Sequence, residues 1–404
     1  MLIINPEEIK DDLLESQDIN IIDFDKSSNY RDKKRFYVSK LEKIFTELKF
    51  KKSVKMKFMG KYESNSKLIK VYGKSIVYCY TWENGESKFF FVRDNVFITE
   101  DIFWLRYYPF LQITNKRSPI DGKYYMDAKI NEALFKEIEL KEIKKSNAYV
   151  IPSHNNHFGH FIGDEFPSLW LEGKISSFWK QKCTYPFKWK RGIEEILNTL
   201  CDNFNISPFD TALEKNLNIR SILPNHLSIY LTNPAMKTYL LEMAMAQIRK
   251  KYKQKTFKGK QRLLMVRRGK YKTRINNIKE LMHVVCSKYY FNIIDPIEHS
   301  FDKLIEMFCN AELIIAESGT STLQALCLSQ EQCKVISLIP KRLVQDTDEE
   351  MIESGLPYHL IMPHKISFVL GETIEKHSIQ SSDLVNYNLQ QIEDCINNTL
   401  NKNT

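Results

Sequence analysis

Between residues 262 and 340, short apolar runs alternate with segments of helical periodicity. RLLMV (262–266), YFNIID (290–295), ELIIA (312–316) and KVISLIP (334–340) read as strands. Three helical stretches separate them. In NNIKELMHVVCSKYY, Ile278, Leu281, Met282 and Val285 fall at i, i+3, i+4 and i+7. Asn277 and Glu280 stand at the spacing of a capping residue and its partner. SFDKLIEMFCNA carries Ser300 as a cap, and GTSTLQALCL opens the third helix. Short strands joined through helices by short loops fit a parallel, doubly wound α/β sheet and little else.

At 404 residues, the chain is too long for one core, and two or more domains follow. KSIVYCYTW and SKFFFVRDNVFIT, rich in β-branched and aromatic residues, read as strands. Residues 1–145 are therefore expected to form an N-terminal accessory α+β region. Residues 146–258 hold a strand at NAYVIPS and end in a helix with Pro234 in its first turn and basic residues in its last. Residues 259–365 are the α/β unit above, and 366–404 read as a helical tail.

Charge narrows the partners. Residues 249–274 hold thirteen Lys or Arg and no acid. Such a run serves a solvated face, a phosphate group, anionic lipid or nucleic acid. Single-strand binding also needs interleaved aromatics, and only Tyr252, Phe257 and Tyr271 are there. The opening MLIINPEEIKDDLLES lacks the basic start and apolar run of a signal peptide, and no apolar run reaches the ~18–20 residues of a membrane span. The expectation is a cytoplasmic protein, peripheral at an anionic membrane face. Eight scattered cysteines without a C-x-x-C pair read as reduced thiols.

Three stretches carry chemistry. Arg267, Arg268 and Arg274 follow the first strand of the α/β unit, and Glu317, Ser318, Gly319, Thr320, Ser321 and Thr322 follow its third. In an open α/β sheet ligands bind at the carboxyl ends of the strands. Guanidinium groups beside helix N–H donors suit a diphosphate. The pattern contains neither G-x-G-x-x-G nor a Walker loop. The third stretch, SHNNHFGHFIGDEFPSLW (153–170), gathers His154, His157, His160, Asp164 and Glu165. A His160–Asp164 pair, four apart, can deprotonate a hydroxyl. Asp23 and Asp25 in IIDFD form a D-x-D of the kind that holds a metal-bound diphosphate. Two other readings stay open on the residues alone: a polyanion or nucleic-acid binder using 249–274, and a metal-dependent hydrolase using the 154–165 cluster.

Taken together, the three stretches resemble glycosyltransferase family 61, whose bacterial members occur in capsular and surface polysaccharide loci. FGHFIGDEFPSLW is similar to its "GH…D.lP.lw" signature, VRRGKYKTRINNIKEL to its basic segment, and NIIDPIEHSFDKLIEMFCNAELIIAESGTSTLQALCL to its glycine-turn segment. The resemblance covers about residues 147–345. It implies a GT-B-like architecture of two Rossmann-like lobes facing a cleft. It also implies a nucleotide-sugar donor, a glycan acceptor, inversion at the anomeric carbon and no bound metal; a specific nucleic-acid partner is not implied, and the oligomeric state is open. Gly159, His160, Asp164 and Pro167 fall on the first motif, with His157 and Glu165 beside them on the acceptor side. Arg267, Arg268, Arg274 and Asn277 fall on the second, and Gly319 on the third. Asp164 or His160 is the implied base, with Glu317 as a third candidate. The chain departs from the pattern at Ser318, where the family has His, at Thr320 and Ser321, where it has Ala-Gly, and at Gln324, where it has Asn.

Overall fold

The computed structural model describes residues 2–4, 19–50, 52–81, 87–93, 96–98, 109–117, 125–137, 149–150, 159, 162–163, 166–167, 183–185, 206–208, 218–231, 233–252, 261–267, 273–345, 362–376 and 383–401. The chain divides into two compact units. One comprises residues 1–28 and 65–237, the other 29–64 and 238–404.

The first unit is built on a nine-stranded sheet. Its strands are β1 (Leu2–Ile4), β2 (Ile19–Asp23), β3 (Lys67–Thr81), β4 (Ser87–Arg93), β5 (Val96–Ile98), β6 (Leu111–Arg117), β7 (Tyr125–Ile130), β8 (Lys136–Glu137) and β12 (Ile219–Leu231). The path runs β6-β7-β1-β5-β4-β3-β12-β8, with β2 also on β3. The two runs expected as strands in the first 145 residues are β3, β4 and β5. The longest pairing, β3 with β12, breaks register between Leu223 and His226, where Pro224 has no N–H to give the ladder. Tyr78, Val92, Phe110 and Ala128 form a core there, with Phe110 and Phe135 rings 5.4 Å apart. A second sheet of three parallel strands holds β9 (Tyr149–Val150), β10 (Cys183–Tyr185) and β11 (Ile206–Pro208). Near it in sequence, Ile162 and Phe166 are buried at helical spacing.

The second unit carries the doubly wound sheet. Its strands are β13 (Gln261–Met265), β14 (Asn292–Ile294), β15 (Ala311–Glu317), β16 (Lys334–Pro340), β17 (Lys365–Glu375) and β18 (Leu384–Asn386), in the order β14-β13-β15-β16-β17-β18. The first five are parallel and β18 is antiparallel. Its helices are α1 (Ser28–Glu47), α2 (Lys52–Glu63), α3 (Pro234–Tyr252), α4 (Ile278–Tyr289), α5 (Phe301–Cys309), α6 (Thr320–Leu328), α7 (Lys341–Gln345) and α8 (Leu389–Asn401). Strand residues alternate between faces. Leu264, Leu313, Ile315, Ile336 and Leu338 pack with Leu281 and Val285 of α4 and Ile392 and Ile396 of α8. Their neighbours Leu263, Ile314, Ala316 and Val335 are equally buried on the other face, which explains strands that read as unbroken apolar runs.

Helix ends follow local chemistry. Asn233 Oδ1 accepts from Ala235 N at 2.7 Å ahead of Pro234, and Ser300 caps α5 through Lys303 N. Asn277 departs from the capping expectation: its side chain makes no cap bond to α4. The expected helical tail is a helix only from Leu389. Residues 365–375 are instead a strand, because Ile366, Phe368 and Leu370 alternate with Ser367 and Val369 and pair with β16. The basic turn ending α3 is not wholly solvated, since Arg249 is 4% exposed and its Nη1 donates to Cys327 O at 2.8 Å.

Candidate functional site

In a sheet of this order the topological switch point lies between β13 and β15, whose chains leave in opposite directions and open a crevice at their carboxyl ends. Val266 ends the β13 run by donating to Ile294 O, and Arg267 follows it, half-buried. Beyond β15 come Ser318 and Gly319. Ser318 N donates to Leu338 O at 2.9 Å, so it continues the ladder. Gly319 has φ 90° and ψ −139°, a combination open essentially to glycine alone. A Cβ there would meet nothing within 4 Å. The conformation turns the chain into α6, whose N-terminus carries no side-chain cap. Its first N–H groups therefore keep their partial positive charge for an outside acceptor.

Residues 273–277 approach the same end of the sheet. Arg274 O accepts from Val385 N at 2.8 Å and Asn276 N donates to Val385 O at 2.8 Å, so this loop adds to the β18 edge. Arg274 is half-buried. Burial, with the Arg267 charge alongside, pulls its guanidinium down to about 10. Two like charges held close in a partly dry place favour an anion as their neutraliser.

Glu317, the last residue of β15, is 4% exposed. Its Oε1 accepts from Thr273 Oγ1 at 2.6 Å. Its Oε2 is buried without a hydrogen-bond partner among the described residues. Its charge partly offsets that of Arg274 and, after burial itself, is the next cause that raises the Tyr387 phenol. Tyr387 packs on β17 at Gly371, where a Cβ would come within 2.6 Å of Tyr387 Cε1.

The sequence-predicted residues divide accordingly. Arg267, Arg274, Glu317, Ser318 and Gly319 come together at the switch point, with Thr320 half-buried behind them. Thr322 is fully buried and committed: its hydroxyl donates to Glu317 O at 2.8 Å and lies 3.0 Å from Ser337 Oγ. Ser321 is 7% exposed. Asn277 is committed too: Nδ2 donates to Tyr387 O at 2.7 Å and Oδ1 accepts from Tyr387 N at 3.1 Å. Arg268, His154, His157, His160, Asp164 and Glu165 lie outside the described residues, while Gly159 is half-buried in a helical turn and Pro167 is buried. Asp23 caps the short turn that follows it, its Oδ1 accepting from Asp25 N at 3.0 Å, while Asp25 Oδ2 accepts from Ser66 N at 2.7 Å. Among the described residues no group of three or more His, Cys, Asp or Glu could hold a metal ion, and no helix is long and apolar enough to cross a membrane.

Sequence reasoning missed Thr273, Gly371 and Tyr387. A glycine inside the strand pattern FVLGETIE was the available signal for a close approach. Thr273 and Tyr387 are joined to the site by tertiary contacts alone.

Residues 158–336 match the family model for Glycosyltransferase 61. That span includes Gly159, Arg267, Arg274 and the turn at Gly319, and the match supports glycosyl transfer as the reaction. No curated protein matches the chain.

Proposed function

We propose that the chain is an inverting glycosyltransferase of GT-B-like design, moving a sugar from a nucleotide-sugar donor to a glycan acceptor in the synthesis of capsule or other surface polysaccharide. The observation that carries the reading is the meeting of Arg267, Arg274 and the uncapped start of α6 at the switch point of the second sheet. When a glycosidic bond to a nucleoside diphosphate breaks, negative charge grows on the leaving oxygens. Fixed guanidinium groups and helix N–H donors stabilise that charge without having to reorganise. In this reading they do the work of a divalent metal, and Arg268 joins them. Residues 259–365 carry the donor side and residues 146–258 the acceptor side. Asp164 or His160 takes the proton from the acceptor hydroxyl as it attacks the anomeric carbon, with His157 and Glu165 nearby in sequence.

The remaining cations of 249–262, apart from Arg249 and from Arg262, which is paired with Glu312 at 2.7 Å, hold the enzyme at the cytoplasmic face near anionic lipid. The test is transfer or slow hydrolysis of UDP-, GDP- and CMP-linked sugars by the purified protein in EDTA. Turnover in the chelator supports the reading. Activity that appears only when a divalent ion is restored contradicts the role given to the arginines.

A further inference from the structure

Glu317 is out of place in a site built to receive an anion. It ends β15 beside Thr273 and Arg274, and it is 4% exposed. A carboxylate oxygen can only accept hydrogen bonds, and a buried acceptor left unmade is unfavourable. Thr273 satisfies Oε1 at 2.6 Å. Oε2 has no partner among the described residues, the guanidinium of Arg274 included. A phosphate cannot satisfy it, since phosphate oxygens bring no proton and carry like charge. What completes the site is a ligand with two chemistries a few ångströms apart: anionic oxygens for Arg274, Arg267 and the start of α6, and a hydroxyl for the carboxylate.

Resting on the donor-site reading above, we propose that Glu317 Oε2 accepts a hydrogen bond from a hydroxyl of the bound nucleotide sugar, making Glu317 a specificity residue that distinguishes a nucleotide sugar from a bare diphosphate. Thr273 orients the carboxylate, and its hydroxyl also accepts from Ile275 N at 3.2 Å, which ties that orientation to the backbone of the arginine loop. A hydroxyl of this kind is present on the ribose and on the transferred sugar, and the experiment separates the two.

Wild type and Glu317→Gln are titrated calorimetrically with inorganic diphosphate and with UDP, GDP and CMP. The tightest nucleotide is then compared with its 2′,3′-dideoxy counterpart and its sugar-linked form. The wild type is expected to favour the hydroxylated nucleotide over the dideoxy compound by about tenfold or more, the scale of a hydrogen bond to a charged acceptor. Glu317→Gln is expected to lose that preference while holding inorganic diphosphate at least as tightly as wild type, since a like charge beside the anion is removed. Where the wild type ignores the ribose hydroxyls but the variant weakens only the sugar-linked form, the hydroxyl belongs to the transferred sugar. A variant that binds every compound like wild type overturns the inference, and so does one that weakens inorganic diphosphate as much as the nucleotides. Thr273→Val, should the first variant not fold, is expected to cut the same preference severalfold, and an unchanged preference overturns it. A wild type that binds no nucleotide at all removes the donor-site reading instead, and the inference with it.

Discussion

Asn277 grips the main chain of Tyr387 with both ends of its amide, donating to the carbonyl oxygen at 2.7 Å and accepting from the N–H at 3.1 Å. Residues 110 positions apart are thereby fixed to each other, and the start of α4 is fixed to the β18 edge. Replacing Asn277 by Ala is expected to destabilise the second unit by about 2 kcal/mol, from two hydrogen bonds of about 1 kcal/mol each. Thermal unfolding measures this, and a melting point equal to wild type contradicts it.

Gly319 makes the turn at the switch point. Ala at this position meets no neighbour, because a Cβ finds nothing within 4 Å. Its φ of 90° remains unfavourable for any L-residue, at about 1–3 kcal/mol. Gly319→Ala is therefore expected to lower stability by that amount and to weaken nucleotide binding, as the turn relaxes and carries the α6 N–H groups with it. Binding unchanged from wild type would separate the turn from the ligand.

Gly371 gives a test of the opposite kind, since here space and not backbone angle is limiting. A Cβ would press closest on Val385 Cγ1 and come within 2.6 Å of Tyr387 Cε1 and 2.7 Å of its Cδ1. Gly371→Ala is expected to destabilise by about 1–3 kcal/mol through overpacking. A Tyr387→Ala background removes two of these three close contacts and leaves Val385, so it should absorb part of that loss. Strict additivity of the two changes in denaturant unfolding would contradict the contact.

His364 links stability to pH. It is 1% exposed, with Nε2 3.1 Å from Ser329 Oγ. Burial first, then the Arg249 charge, lowers it from 6.5 to about 4. Between these values the unfolded chain binds the proton and the folded chain does not. Stability contributed by the neutral ring is thus complete above about pH 6.5 and is lost as pH falls toward 4, by about 3 kcal/mol at most. Denaturant midpoints of wild type and His364→Gln, measured from pH 7 to 4.5, should converge on acidification. Parallel curves would contradict this.

The strands of the second sheet were legible because burial on both faces leaves them continuously apolar, as in ELIIA and KVISLIP. The arginine loop and the glycine turn were legible as chemistry placed after strands. Asn277 was misread because its amide finds the backbone of Tyr387, just past β18, a partner 110 residues away that outcompetes the local cap. Helices α1 and α2 gave little warning. The buried positions of α1, Tyr30, Tyr37, Leu41, Ile44 and Phe45, are diluted by Lys, Arg and Glu. One of its tyrosines is held by a carboxylate on α3, Tyr37 donating to Glu242 Oε2 while Lys33 Nζ lies 2.9 Å from Oε1. Thr322 read as an open hydroxyl, yet it is spent on Glu317 O and Ser337.

The central claim is that fixed guanidinium groups hold a nucleotide diphosphate at the switch point. Calorimetric titration of wild type and Arg274→Ala with UDP, GDP and CMP in EDTA tests it most directly. Wild type is expected to bind at least one of them without a divalent ion, and Arg274→Ala to weaken it by about tenfold or more, the loss of a charge-assisted, bidentate contact. Equal affinity in the two proteins, or binding by wild type that depends on added metal, would contradict it.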